Sequence, residues 1–122
     1  MKIATIFNQF IKRFPELNDT INKSLKTHLV DDKDGIYVIW GLGIMPSVLE
    51  LLKRPNNERI LKNIFNFFEE MAISEDEEVR ELLMYSTLET LDDDKVILKE
   101  ALIYMGDKTK KLLDGIQNFL GE

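Results

Sequence analysis

Residues 60–71 read ILKNIFNFFEEM, and this stretch carries the clearest structural signal in the chain. Its apolar residues recur at intervals of three and four, which places them on one face of an α-helix. Phe67 widens that face, so a broad side of this helix is expected to be buried. The residues predicted to face the core are Ile60, Leu61, Ile64, Phe65, Phe67, Phe68 and Met71.

Helical spacing of apolar residues continues on both sides of this stretch. Before it, residues 3–14 and 17–29 form two amphipathic segments on either side of Pro15, which ends one helix and can open the next. After it come segments 79–91, 97–105 and 112–120, the last of which is expected to bury Leu120. The predicted helix starts are a capping box at Ser74 and Glu77, the triplet Asp92, Asp93 and Asp94, and Asp107, with Gly106 as a stop.

The stretch between residues 31 and 52 is harder to assign. Residues 31–35, DDKDG, predict a turn. Residues 36–40, IYVIW, have the composition of a short strand, but no second strand is present to pair with it. This segment is therefore expected to be a buried helix or an extended connector, followed by glycines that loosen the backbone or allow close packing. Pro46 is expected in the first turn of a further helix.

Together these segments predict an all-α fold of about six to seven helices, forming one helical domain over residues 1–122. Short loops place successive helices antiparallel, in a compact bundle or a short stack of helical hairpins. No internal repeat supports a true solenoid.

Charge and composition narrow the classes of function. The formal net charge is −6, and it is uneven: residues 1–30 carry five basic and two acidic residues, whereas the remainder carries 11 basic and 20 acidic ones. An acidic body repels phosphate, so nucleic-acid binding is not expected, while a basic protein partner would be attracted. Cysteine is absent, and neither a membrane span nor a secretory signal is expected, which fits a cytoplasmic protein.

The groups that usually carry out catalysis are missing from the sequence. His28 is the only histidine, and it is expected to interact with carbonyl groups at the end of its helix. Gly41 and Gly43 do not form a phosphate loop, because the third glycine and the lysine are lacking. Aligning Gly35 with the glycine of a calcium loop puts Val30 at the first ligand position and Gly41 where glutamate is required. No enzyme activity, metal or cofactor is therefore expected.

An acidic cluster begins at residue 75. Carboxylates near a helix start are favourable, each by roughly 0.3–1 kcal/mol, and they also improve solubility. Neither effect requires so many like charges, because neighbours three and four residues apart repel one another. Retained repulsion on a surface indicates a cationic partner. The cluster comprises Glu75, Asp76, Glu77, Glu78 and Glu81, with Arg80 among them.

Segments spread between residues 35 and 115 share their pattern with a known family. They are YVIWG at 37–41 with Pro46 and LL at 51–52, FFEEMA at 67–72 with Ser74, DEEV at 76–79, LL at 82–83, LETLDD at 88–93, and YMG at 104–106 with Thr109 and Lys110. Together they resemble a small bacterial helical family with no established catalytic activity. Its members occur beside polymorphic and contact-dependent toxins and are taken to be immunity proteins.

The resemblance implies an immunity protein that binds and blocks a cognate toxin domain. Many such toxins are nucleases, whose basic surface an acidic inhibitor can occupy in place of nucleic acid. The alternative is a HEAT-like helical scaffold without catalytic activity, and the oligomeric state is open. On charge alone, the residues expected to contact the partner are Glu75, Asp76, Glu78, Glu81, Asp92 and Asp93.

Overall fold

The structure, a computed structural model, describes residues 1–119 and 121, and this part of the chain is all-α without strands. It confirms the predicted bundle of about seven helices; Leu120, expected in the core, lies outside the described residues. Short 3₁₀ turns at Ile3–Thr5 and Pro15–Leu17 precede the first two helices. The helices are α1 (Ile6–Arg13), α2 (Asn18–Thr27), α3 (Ile36–Lys53), α4 (Glu58–Ala72), α5 (77–92), α6 (Lys95–Tyr104) and α7 (Asp107–Phe119).

Helix α4 is the centre of the bundle, as its sequence predicts. It contacts α3, α5, α6 and α7, and all of its predicted core residues are buried except Ile60, which is partly exposed. On one side, the Phe67 ring lies 5.3 Å from that of Phe10 in α1, measured between centroids. The Phe10 ring in turn meets Trp40 at 5.5 Å. These edge-on aromatic contacts join the N-terminal helix to the centre of the core.

Helix α3 decides an open alternative in the middle of the chain. Residues 36–40 are helical, which is one of the two predicted forms, and Pro46 lies in the first turn of the α-helical segment Met45–Lys53, as predicted. This segment is not a separate helix, however, because it continues the helix that starts at Ile36. Proline normally interrupts a helix because it lacks an N–H and crowds the carbonyl four residues earlier, here that of Leu42. A π turn at Trp40–Ile44 ends two residues before Pro46, and Ser24 Oγ donates to the Leu42 oxygen at 2.6 Å. This hydroxyl replaces the missing backbone donor.

Close packing accounts for Gly43 in the same helix. A Cβ atom built at this position would lie 2.9 Å from Leu25 Cδ2 of α2. A side chain at position 43 would therefore require Leu25 to shift where α2 and α3 pack together.

Helix α3 is also long and apolar enough to cross a membrane, with a mean hydropathy of 1.5 over its 18 residues. Core helices share this composition. Trp40, Ile44 and Val48 in this helix are fully buried, and the helix contacts α2, α4, α5 and α6. The apolar side chains of this buried stripe therefore pack inside the bundle.

Helix α5 contains a second π turn, at Leu83–Leu88, which contacts the π turn of α3. Trp40 Nε1 donates to Thr87 Oγ1 across this contact at 2.9 Å, and both residues are fully buried. The two irregular turns are therefore matched to each other in the core.

Two of the three predicted helix caps are wrong. Asp76, and not Ser74, caps α5, because its side chain accepts from Glu78 N. The predicted cap at Asp94 is confirmed, since its Oδ1 accepts from Val96 N and Ile97 N. The start of α7 is capped by Glu69 of α4, whose carboxylate accepts from Lys108 N at 2.9 Å and Thr109 N at 2.8 Å. Asp107 is simply the first residue of that helix.

Candidate functional site

The acidic cluster lies where α5 begins, and most of its charge is left unneutralised. Glu75 and Glu78 are exposed and Glu81 is partly exposed. None of these three carboxylates takes part in an ion pair with the residues that the structure describes. Arg80, the one cation within the cluster, donates to the Ser74 carbonyl oxygen. A concentration of negative charge therefore faces outward from this end of the bundle.

Asp76 has a structural role within the cluster. Its Oδ2 accepts from Ile3 N at 2.8 Å, and its Oδ1 accepts from Glu78 N at 3.0 Å. The hydrogen bond from Ile3 N, followed by that from Glu78 N, holds the pKa of Asp76 below its usual range despite partial desolvation. Asp76 thus ties the N-terminal segment to the start of α5, and both of its oxygens are already occupied.

The triplet at residues 92–94 separates into three different environments. Asp92 is only 4% exposed, and its Oδ1 accepts from Lys95 Nζ and Gln117 Nε2, each at 2.9 Å. The prediction that Asp92 contributes to an outer binding surface is therefore wrong, because the residue is buried against α7. Asp93 is exposed, as predicted, and Asp94 caps α6.

Two exposed tyrosines lie beside the free carboxylates. Tyr37 at the start of α3 is 44% exposed, and Tyr85 in α5 is 51% exposed. Partial burial raises the pKa of Tyr37, and the nearby charges of Glu81 and Glu78 raise it further. We name Glu75, Glu78, Glu81, Tyr37 and Tyr85 the acidic face.

Sequence reasoning missed Tyr37 because the segment 36–40 was expected to be a buried helix or an extended connector. The spacing of the apolar residues could have separated Tyr37 from the core, because they recur at every fourth position. Ile36, Trp40, Ile44, Val48 and Leu52 form one inward stripe along α3, which leaves position 37 outside.

A concave surface of about 720 Å³ lies beside α4, and none of the residues of the acidic face line it. It is lined by polar side chains that include Asn56, Asn63 and Asn66. Arg13 in its wall makes a two-pronged ion pair with Glu70, with N–O distances of 2.6 and 2.7 Å, so these charges cancel. This cleft offers hydrogen bonds but neither a net charge nor a nucleophile paired with a base. In the sequence, this cleft is indicated only by Asn63 and Asn66, which lie three residues apart on the predicted solvent-facing side of α4.

The other residues with possible chemistry have ordinary structural positions. His28 Nδ1 lies 2.9 Å from the Ser24 carbonyl oxygen at the end of α2, as predicted. In the turn that follows, Asp31 Oδ1 accepts from Lys33 N, and Asp34 Oδ2 accepts from Asp31 N. Within residues 1–119 and 121, no group of three or more histidine, cysteine, aspartate or glutamate side chains could hold a metal ion.

Comparison with known proteins gives a family but no function. No curated protein and no solved structure matches the chain. Residues 7–121 match a family described as a domain of unknown function, DUF7674. Since this match spans nearly all of the sequence, the chain belongs to the DUF7674 family.

Proposed function

We propose that this protein is a non-catalytic binding protein whose acidic face binds a basic protein partner. The observation that carries the proposal is the group of free carboxylates, Glu75, Glu78 and Glu81, beside two exposed tyrosines. The family resemblance of the sequence narrows the partner to a bacterial toxin domain and the role to that of a cytoplasmic immunity protein. Neither a membrane nor a nucleic acid is proposed as a partner, because the negative charge of this face repels phosphate.

The electrostatic argument depends on spacing. Glu78 and Glu81 are three residues apart on α5, and like charges at this separation on a helix repel, while Glu75 adds a third negative charge just before the helix begins. Glu78 lies in the first turn, where the helix dipole offsets part of the repulsion, but Glu81 lies beyond that turn. A basic partner would relieve the remaining repulsion and would be drawn to the face from solution.

The tyrosines complement the charge. A tyrosine ring buries a large apolar area at an interface while its hydroxyl still forms hydrogen bonds, and interfaces are enriched in this residue. Tyr37 and Tyr85 belong to different helices, so the face is built across the contact between α3 and α5.

Such a face would neutralise a nuclease toxin by occupying its phosphate-binding surface. Substrate and inhibitor would then compete for the same cationic side chains, and long-range attraction would speed the inhibitor's arrival. An inhibitor that covers the phosphate-binding surface of the toxin needs no catalytic group.

A charge-reversal pair tests the proposal. The variant Glu78→Lys with Glu81→Lys alters the acidic face, and Glu100→Lys with Asp114→Lys makes the same charge change at exposed positions of α6 and α7. The proposal predicts that a toxin domain is encoded beside this gene. That domain is the probe, and its association rate is measured by surface plasmon resonance at low and high salt. At low salt we expect the first variant to associate at least roughly tenfold more slowly than the control variant. Equal rates for the two variants would remove the acidic face from the interface.

Co-expression provides the functional readout. Growth inhibited by the toxin domain should be restored by the wild-type protein and by the control variant. A stable complex that leaves growth inhibited would instead favour the alternative role, a HEAT-like helical scaffold.

A further inference from the structure

A groove adjoins the acidic face on the side of the N-terminal helix. It consists of two concave regions of about 440 and 410 Å³, both of which are lined by Phe7, Asn8, Asp32 and Ile39. The first region extends to Glu78, so the groove is continuous with the acidic face. The second extends towards the end of α2 at Lys26. We call it the Phe7 groove.

The floor of the Phe7 groove is apolar. Phe7 of α1 and Ile39 of α3 line both regions and are only partly buried, and Phe7 also packs against the hydrophobic core. Ile36 widens the floor in the first region and Leu25 in the second. Apolar side chains left half-exposed together in a concave surface favour contact with another apolar group.

The rim of the groove is acidic. Asp31, Asp32 and Glu78 stand at its edges, against the single cation Lys26 at the far end. All three carboxylates belong to exposed residues. A segment that fits here must therefore present apolar side chains downward and positive charges to both sides.

The size of the groove sets the number of apolar side chains it can receive. Each region is near the lower limit of a small-molecule pocket, roughly 300–1,000 Å³, and would hold one or two large side chains. Because the two regions share one floor, each can receive one side chain from the same face of a bound helix. Side chains one helical turn apart have this arrangement.

We infer that the Phe7 groove receives an amphipathic, basic α-helix of the partner, with apolar side chains at positions i and i+4 filling its two regions. The inference rests on the proposed function and deepens it, because it specifies the element of the basic partner that is recognised. Charge on the acidic face would steer the partner, and the apolar floor would slow its release.

The test uses synthetic peptides as probes, so it does not depend on the toxin. One peptide of about 15 residues, long enough to form a helix, places leucine at i and i+4 among lysine and alanine. The second has the same composition in an order that leaves no apolar face. Each is titrated into the full-length protein, and backbone amide shifts are followed by NMR. We expect the amphipathic peptide to shift the resonances of Phe7, Asn8, Asp32 and Ile39, and the scrambled peptide to bind at least roughly tenfold more weakly.

Two exposed positions give variants that leave the core intact. Asn8→Trp fills the groove with an indole ring, and Asp32→Lys reverses one rim charge; Asp114→Lys is the matched control on α7. We expect the first two to weaken binding of the amphipathic peptide by roughly tenfold, and the control to leave it unchanged. The inference is overturned if neither peptide binds, if both bind equally, or if the shifts map elsewhere.

The two proposals fail in different experiments. If the toxin domain binds through Glu78 and Glu81 but the peptide does not enter the groove, only the helix inference is lost. If the peptide binds as described but the toxin domain does not, the toxin assignment fails and the specificity of the groove for a basic helix stands.

Discussion

Trp40 donates its indole N–H to the Thr87 hydroxyl over 2.9 Å, in a part of the core where both residues are fully buried. This bond links the π turn of α3 to that of α5. Each turn departs from regular helical hydrogen bonding, so each alone would weaken its helix. Their contact supplies a specific interaction that regular helices would not offer at this point.

Replacing Thr87 by valine should destabilise the fold by about 1–3 kcal/mol, because the shape is kept while the indole N–H is left buried without an acceptor. Urea unfolding followed by Trp40 fluorescence measures the change. Thr87→Ser is the control, since it keeps the hydroxyl and loses only a methyl group. A valine variant as stable as wild type would show that the bond contributes nothing.

Gly106→Ala should also destabilise the protein, by about 1–3 kcal/mol. A Cβ atom at this position would lie 2.5 Å from Glu69 Cδ and 2.7 Å from both carboxylate oxygens, so the residue that caps α7 would be displaced. Gly115→Ala, inside the helix that follows Gly106, is the control, because its Cβ atom would meet nothing within 4 Å. We expect the control to gain up to about 1 kcal/mol from helix propensity. Thermal unfolding of the two variants should therefore shift in opposite directions.

The stability that Glu69 contributes should depend on pH. Partial burial alone would raise the pKa of Glu69, but hydrogen bonds from Lys108 N, the Thr109 hydroxyl and Thr109 N lower it overall. A carboxyl whose pKa is lower in the folded state stabilises the fold above its unfolded pKa, and this contribution is lost as the pH falls through the folded value.

Comparison of wild type with Glu69→Gln isolates this effect, since all other carboxyl groups are shared. The stability difference should be largest at neutral pH and should shrink as the pH falls below about 4.3, the usual pKa of glutamate. Chemical unfolding at a series of pH values tests this. A difference that stays constant down to acid pH would mean that Glu69 acts by its shape and not by its charge.

Leu29→Gly should stabilise the fold by about 1 kcal/mol. Leu29 has a φ of 55° and is 90% exposed, so it strains the backbone without burying its side chain. The left-handed turn lets Val30 N donate to the Leu25 carbonyl oxygen at 2.9 Å, a helix ending that usually contains glycine. Asn56→Gly, at a φ of 68°, should gain less, because asparagine tolerates this conformation. Unfolding midpoints of the two variants measure the comparison, and a destabilised Leu29→Gly would point to a contact of the leucine in the native state.

The helices could be predicted from the sequence because their signal is local. The period of apolar residues in 60–71 fixes both the existence of α4 and the side that it buries. The cap at Asp94 is equally local, since the side chain reaches amides two and three residues ahead.

Interactions between distant parts of the chain could not be predicted in the same way. Glu69 caps a helix that begins almost forty residues later, and no pattern near Asp107 reveals this. Asp92 and Asp93 are adjacent and chemically identical, but Asp92 is buried and accepts a hydrogen bond from Gln117 of α7, whereas Asp93 is exposed. Pro46 stays within its helix because Ser24, on another helix, replaces the donor that proline lacks. In the candidate site, the cluster of carboxylates could be recognised from the sequence. The exposure of the two tyrosines and the shape of the groove depend on how the helices pack.

The paired π turns are the places where α3 and α5 can best accept a change of length. A π turn contains one residue more than an α turn, so it absorbs that residue while the helix on either side stays nearly in phase. Deleting one residue within 40–44 or 83–88 would leave a regular α turn and would mainly cost the local contact between the two turns. Deleting a residue in a regular part of α3 or α5 would instead rotate one side of the helix by about 100° about its axis. Single-residue deletions inside the π turns should therefore be tolerated better than deletions in the regular turns of the same helices.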